Sequence, residues 1–144
     1  MSHRPIKSII ENRKVVTAQS NFTVSHAARL MREHKIGALL VCEQGRLVGV
    51  FTERDALFRV TAEDREAQST MLADVMTRDP QTIGPDKPLG HALHMMYEGG
   101  FRHVPVVENG QPIGMISARD AFGPELKEFV AEVDQREHIA EILG

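Results

Sequence analysis

Cysteine is almost absent: Cys42 stands alone among 144 residues. One thiol forms no disulfide within the chain and supports no Cys-rich zinc site. An excess of one charge is also missing. The 17 Lys and Arg against 20 Asp and Glu leave a net charge of −3, which argues against a general binder of nucleic acid or of anionic membrane surfaces. No apolar run approaches the roughly 18 residues needed to cross a bilayer. The opening MSHRPIKSIIENRK has basic residues but no apolar stretch behind them, so no secretion signal is expected. What is present is ordinary for a folded protein: 42% apolar and 26% charged residues, in a chain long enough to bury its own core. A reduced, cytoplasmic, soluble protein is the expectation.

The charge is unevenly spread. Residues 1–70 carry 11 Lys and Arg against 8 Asp and Glu, and residues 71–144 carry 6 against 12. Much of the acid lies in the last twenty residues, which place Leu126, Phe129, Val130, Val133, Ile139, Ile142 and Leu143 mostly three or four apart. That spacing predicts an amphipathic helix over 124–144, with Pro124 at its start.

The most informative feature is an internal repeat. Displaced by 65 positions, residues 17–57 fall on 82–122 without a gap. Thr17 meets Thr82, His26-Ala27 meets His91-Ala92, Gly49 meets Gly114, and Arg54-Asp55-Ala56 meets Arg119-Asp120-Ala121. Each copy begins with a short extended segment, 15–18 or 81–83. A helix follows at 24–34 or 89–99, with apolar residues on one face. Two strands then form a hairpin: 38–43 with 47–52, and 103–108 with 112–117. The turns are Gln44-Gly45 and Asn109-Gly110, the second a strong hairpin signal. A last helix starts after Thr52 or Ser117. The reading is an α+β fold of tandem β-α-β-β-α repeats, with a short helix at 5–11 and a linker at 61–79. The organisation expected is 1–70 for the N-terminal segment and first repeat, 71–123 for the second repeat, and 124–144 for the terminal helix. One unit of about 45 residues buries too little surface to stand alone, so the two form one folding domain.

Each hairpin ends in a glycine, a hydroxyl, and an Arg-Asp pair: Gly49, Thr52, Arg54, Asp55 and Gly114, Ser117, Arg119, Asp120. Hydroxyl-x-x-acid is first of all a helix capping box, although Glu or Gln reaches back more comfortably than Asp. The same geometry also describes a ribonucleotide pocket. Amides at a helix start attract phosphate, and the carboxylate takes two ribose hydroxyls. The Arg supplies a fixed positive charge. The glycine lets a ligand or another backbone approach closely.

With this motif in both copies, the VPVV-type strand and MTRDP at 76–80, the chain resembles the CBS-domain pair, or Bateman module, over roughly residues 6–123. The resemblance implies a sensor that binds an adenosine derivative in the clefts between the repeats. AMP comes first among the candidates, with ATP, ADP, NAD and S-adenosylmethionine beside it. It implies that Asp55 and Asp120 hold ribose and that Thr52 and Ser117 contact phosphate or ribose. Thr17-Ala18 and Thr82-Ile83 would enclose the base, with Val104 beside the second pocket. Arg102-His103 stands in the register of Gly37-Ala38, so only the second copy has basic residues where the family places phosphate ligands. The Asp120 pocket is therefore expected to bind more tightly. The resemblance also implies a homodimer. About twenty residues follow the second copy, so no catalytic domain is expected in the same chain and an effector protein is expected to read the bound state.

Other chemistry is thinly supported. His91 and His94, with His103 nearby, lack an acidic or Cys partner at familiar metal-ligand spacing. His26 and His91 share a repeat position, which suggests a structural role. Cys42 sits in an apolar strand and reads as a small core residue. No nucleophile elbow or HExxH helix is present, so an enzyme is not expected; a ligand-free interaction module is the alternative.

Overall fold

A computed structural model of the chain describes residues 3–123 and 131–136. The elements follow the repeat. Helix α1 spans Ile6–Ile10, strand β1 Thr17–Gln19, helix α2 Val24–His34, and strands β2 and β3 Ala38–Glu43 and Arg46–Thr52. A short helix α3, Glu53–Asp55, runs on into a π-helical turn over Ala56–Thr61. Helix α4 (Leu72–Val75) and strand β4 (Thr77–Arg78) lie within the expected linker. The second copy supplies helix α5 (Leu89–Gly99), strands β5 (His103–Glu108) and β6 (Gln111–Ser117), and a 3-10 turn over Ala118–Ala121. Of the expected terminal helix, residues 131–136 are helical and largely exposed; the remainder of 124–144 lies outside the described residues.

Local chemistry sets the boundaries. Thr23 is extended and its hydroxyl accepts the amide of His26 at 3.2 Å, which starts α2. Lys35 ends α2 in the left-handed region at φ 56°, where the second copy has Gly100 at φ 72°. Both hairpin turns place two residues at positive φ: Gln44 and Gly45 at 51° and 78°, Asn109 and Gly110 at 55° and 79°. That twist matches the flanking strands.

The first sheet has the order β1-β2-β3-β4, with β1 parallel to β2 and the other pairs antiparallel. The second sheet is the β5-β6 hairpin, and its expected first strand is reduced to one parallel bridge between Ile83 and Val106. Gly84 and Pro85 follow Ile83 directly, and neither Pro85 nor Pro105 of β5 has an amide to extend the ladder.

The cores exchange segments. Leu39, Val41, Phe51 and Ala27 of the first copy pack with Leu72, Val75 and Met76 from the linker. Leu89, Val104, Val106 and Ile116 of the second pack with Ile6 and Ile10 of α1. Backbone hydrogen bonds repeat the exchange: Leu72 to Phe22 and Val24 to Thr70 on one side, Ile6 to Lys87 and Leu89 to Arg4 on the other. Residue 70 thus divides the sequence pattern but not the packing. A third cluster, Ala38, Leu40 and Val50 with Leu47 and Met115, joins the two units.

Candidate functional site

Asp55 and Asp120 are the buried carboxylates among the described residues, at 6% and 9% exposure. A carboxylate out of water needs partners, and each has them. The amide of Thr52 donates to Asp55 Oδ2 at 3.0 Å while the Asp55 amide donates to Thr52 Oγ1 at 3.1 Å. This is the reciprocal capping box that Asp was expected to form poorly; in this tight turn the shorter side chain closes it. The Ser117 amide likewise donates to Asp120 Oδ2 at 2.9 Å.

Beyond the cap the two copies differ. Asp55 meets the Thr77 hydroxyl at 3.4 Å and Arg59 Nε at 3.5 Å, both contacts within its own unit. Asp120 is gripped by Arg13, whose Nη1 lies 3.1 Å from Oδ2 and Nη2 2.5 Å from Oδ1. Arg13 was missed in the sequence. It lies outside the ungapped repeat and 107 residues from its partner, and only the exchange of α1 into the second unit brings it near.

A cleft of about 1580 Å³ opens beside Asp120. Ser117, Arg119, Asp120, Arg102 and His103 all line it. Seven Arg and Lys side chains line it against two carboxylates, Glu53 and Asp120, so the local field favours an anion. Val16, Ile36 and Met115, partly exposed, supply an apolar wall from both units. Among the described residues, the turn after Ser117 is only four residues of 3-10 helix. The cationic side chains named above supply positive charge there. Burial holds the His103 imidazole below its ordinary pKa; Glu53 opposes this, Arg102 adds to it, and Asp120 opposes it.

The other expected site residues fall elsewhere. Thr52, Arg54 and Asp55 do not line this cleft; Arg54 donates to the Gly100 carbonyl at 3.4 Å, across to the second unit. Ala18 is buried in the first core, and Ile83 and Val104 in the second. Alternation along a strand turns these side chains inward. Thr17 is exposed, and its neighbours Val15 and Val16 line the cleft instead. Thr82 borders a separate recess of about 230 Å³ with Arg46, Asp79 and Gly110.

The motif glycines face protein. A Cβ on Gly49 would lie 2.6 Å from Met76 Sδ and 2.9 Å from the Thr77 carbonyl oxygen, and one on Gly114 would lie 2.9 Å from Ile10. The close approach they permit is that of the exchanged segments. His26 stacks on Phe22 with ring centroids 4.2 Å apart, and Cys42 is buried with its thiol pKa raised by desolvation. Among the described residues no three His, Cys, Asp or Glu group as metal ligands, and no helix is long and apolar enough to cross a membrane.

The CBS domain family matches residues 6–62 and 72–123. The chain is 35% identical over 107 residues to the CBS domain-containing protein YhcV of Bacillus subtilis, covering 74% of this chain and 76% of that protein. It is similar in structure to the CBS-domain containing protein ATU1752 from Agrobacterium tumefaciens. The TM-score is 0.76 at 31% identity, over 84% of this chain and 98% of the other. The CBS domain pair of protein MJ0100, solved in complex with 5′-methylthioadenosine and S-adenosyl-L-methionine, matches with a TM-score of 0.75 at 27% identity. That match covers 84% of this chain and 97% of the other. Two matched repeats, a mixed α+β fold and the shared architecture lead to one conclusion: the chain belongs to the CBS domain family, as a CBS pair.

Proposed function

We propose that the chain is a non-catalytic sensor that binds an adenine ribonucleotide between its repeats, in the Asp120 cleft. The observation that carries this reading is a buried carboxylate at a cationic cleft with an apolar wall. Asp120 takes the ribose, Arg102 and Arg119 the phosphate, and the wall of Val16, Ile36 and Met115 the base. The adenosine ligands of the MJ0100 pair support the ligand class. Asp55 does not line this cleft, and only the second copy carries Arg102 and His103 in it, which supports a ranking with the Asp120 pocket tighter. Calorimetry on ligand-stripped protein with AMP, ADP, ATP, NAD and S-adenosylmethionine tests the reading. Binding of at least one is expected, and no binding at millimolar concentration rejects it.

The sensor works through a second protein and as a homodimer, in a reduced cytoplasmic setting that suits the free thiol of Cys42. Apolar side chains support the dimer: Leu57, Phe58 and Phe122 are each more than half exposed, and Tyr97 is 88% exposed. The first three follow the motifs, whereas α2 turns Val24, Ala27 and Met31 into its own core. Light scattering at micromolar concentration should give twice the 16.1 kDa chain mass; a monomer mass rejects the dimer.

A further inference from the structure

We infer that the cleft selects an anionic adenine ligand over an uncharged or cationic one, with Arg13 as the determinant. Arg13 leaves Asp120 for the ligand's phosphate as the ribose takes the carboxylate. The inference rests on the nucleotide reading above and narrows its ligand class.

Asp120 offers about four acceptor directions. Three are used, by the Ser117 amide and by both terminal nitrogens of Arg13. The one left cannot serve two ribose hydroxyls, so a diol must displace Arg13. Displacement is feasible because Arg13 lies between α1 and β1, in neither element, and its side chain is 46% exposed. It is costly because the pair includes a buried carboxylate, and breaking such a pair leaves charge uncompensated.

What offsets the cost decides the ligand. A phosphate gives the freed guanidinium a matching two-oxygen acceptor within the same cleft. An uncharged nucleoside supplies no anion to replace Asp120, in a cleft where seven cations face two carboxylates. A sulfonium adds one more positive charge. The Asp55 site has no such coupling, because its cation, Arg59, is four residues along the same chain segment and only 3.5 Å off by one nitrogen.

Calorimetry with AMP, adenosine and S-adenosylmethionine on the ligand-stripped full chain, wild type and Arg13→Ala, tests this. Wild type should bind AMP roughly ten- to hundredfold more tightly than adenosine or S-adenosylmethionine, the range of one charge-assisted contact. In Arg13→Ala, adenosine should bind more tightly than to wild type and AMP more weakly, so the preference falls by about tenfold or more. Arg13→Gln, which keeps a donor for Asp120, reads the same ratio should the alanine variant not fold. A preference unchanged within about twofold, or wild-type binding of adenosine as tight as AMP, overturns the inference and leaves the nucleotide reading standing. Failure of wild type to bind any of the three overturns both.

Discussion

Arg13 holds both carboxylate oxygens of Asp120 across 107 residues of chain. The pair fastens the N-terminal segment to the second repeat beside the cleft, and α1 anchors the same segment through Ile6 and Ile10 in that repeat's core. Folding and the site are therefore linked: the segment that completes the second core also supplies the cation that caps its aspartate. The first repeat is built alike but with gentler means. Its linker segment brings Thr77, a hydroxyl, to Asp55.

Ile6→Ala tests the exchange of segments. Ile6 is fully buried in the second core, so the truncation should cost about 2–5 kcal/mol in urea unfolding. It should also lower nucleotide affinity, because Arg13 loses its anchorage. A loss below about 0.5 kcal/mol, the size of an ordinary surface change, would show that α1 is not part of that core.

Gly49→Ala should destabilise by about 1–3 kcal/mol. The new methyl would lie 2.9 Å from the Thr77 carbonyl oxygen, a backbone atom held in the β3–β4 pairing, as well as 2.6 Å from flexible Met76. Thermal unfolding measures it. An unchanged melting temperature would mean that β4 does not lie against β3 as described.

His103 should titrate below its ordinary value of 6.5, chiefly through burial and despite Glu53. A lowered pKa means that the folded state binds this proton less well than the unfolded chain does. Its contribution to stability is thus complete above about pH 6.5 and is lost as pH falls below it, towards the folded pKa. Proton NMR of the imidazole, assigned with His103→Gln, reads the midpoint directly. Bound phosphate should move that midpoint upward, and a midpoint at or above 6.5 in the free protein would contradict the burial.

Much of this was legible in the residues. The ungapped register of 17–57 on 82–122 announced the duplication, and apolar spacing placed α2 and α5 where they lie. Glycine turns and β-rich runs did the same for the hairpins. The aspartates were found because hydroxyl, Arg and Asp recur at one spacing. Three things were hidden. Short α4 and β4 have too few residues to show a period. The first strand of the second copy failed where Pro85 and Pro105 withhold amides, a tertiary consequence of two residues 20 apart. Arg13 could be recognised only once α1 was known to cross into the other unit, because nothing local marks a cation whose partner is so distant.

The most direct test of the account compares AMP binding to ligand-stripped wild type, Asp120→Ala and Asp55→Ala by calorimetry. Wild type should show a tight site, Asp120→Ala should lose it, and Asp55→Ala should keep near-wild-type affinity. Equal losses in the two variants, a larger loss from Asp55→Ala, or no binding to wild type at millimolar AMP would contradict it.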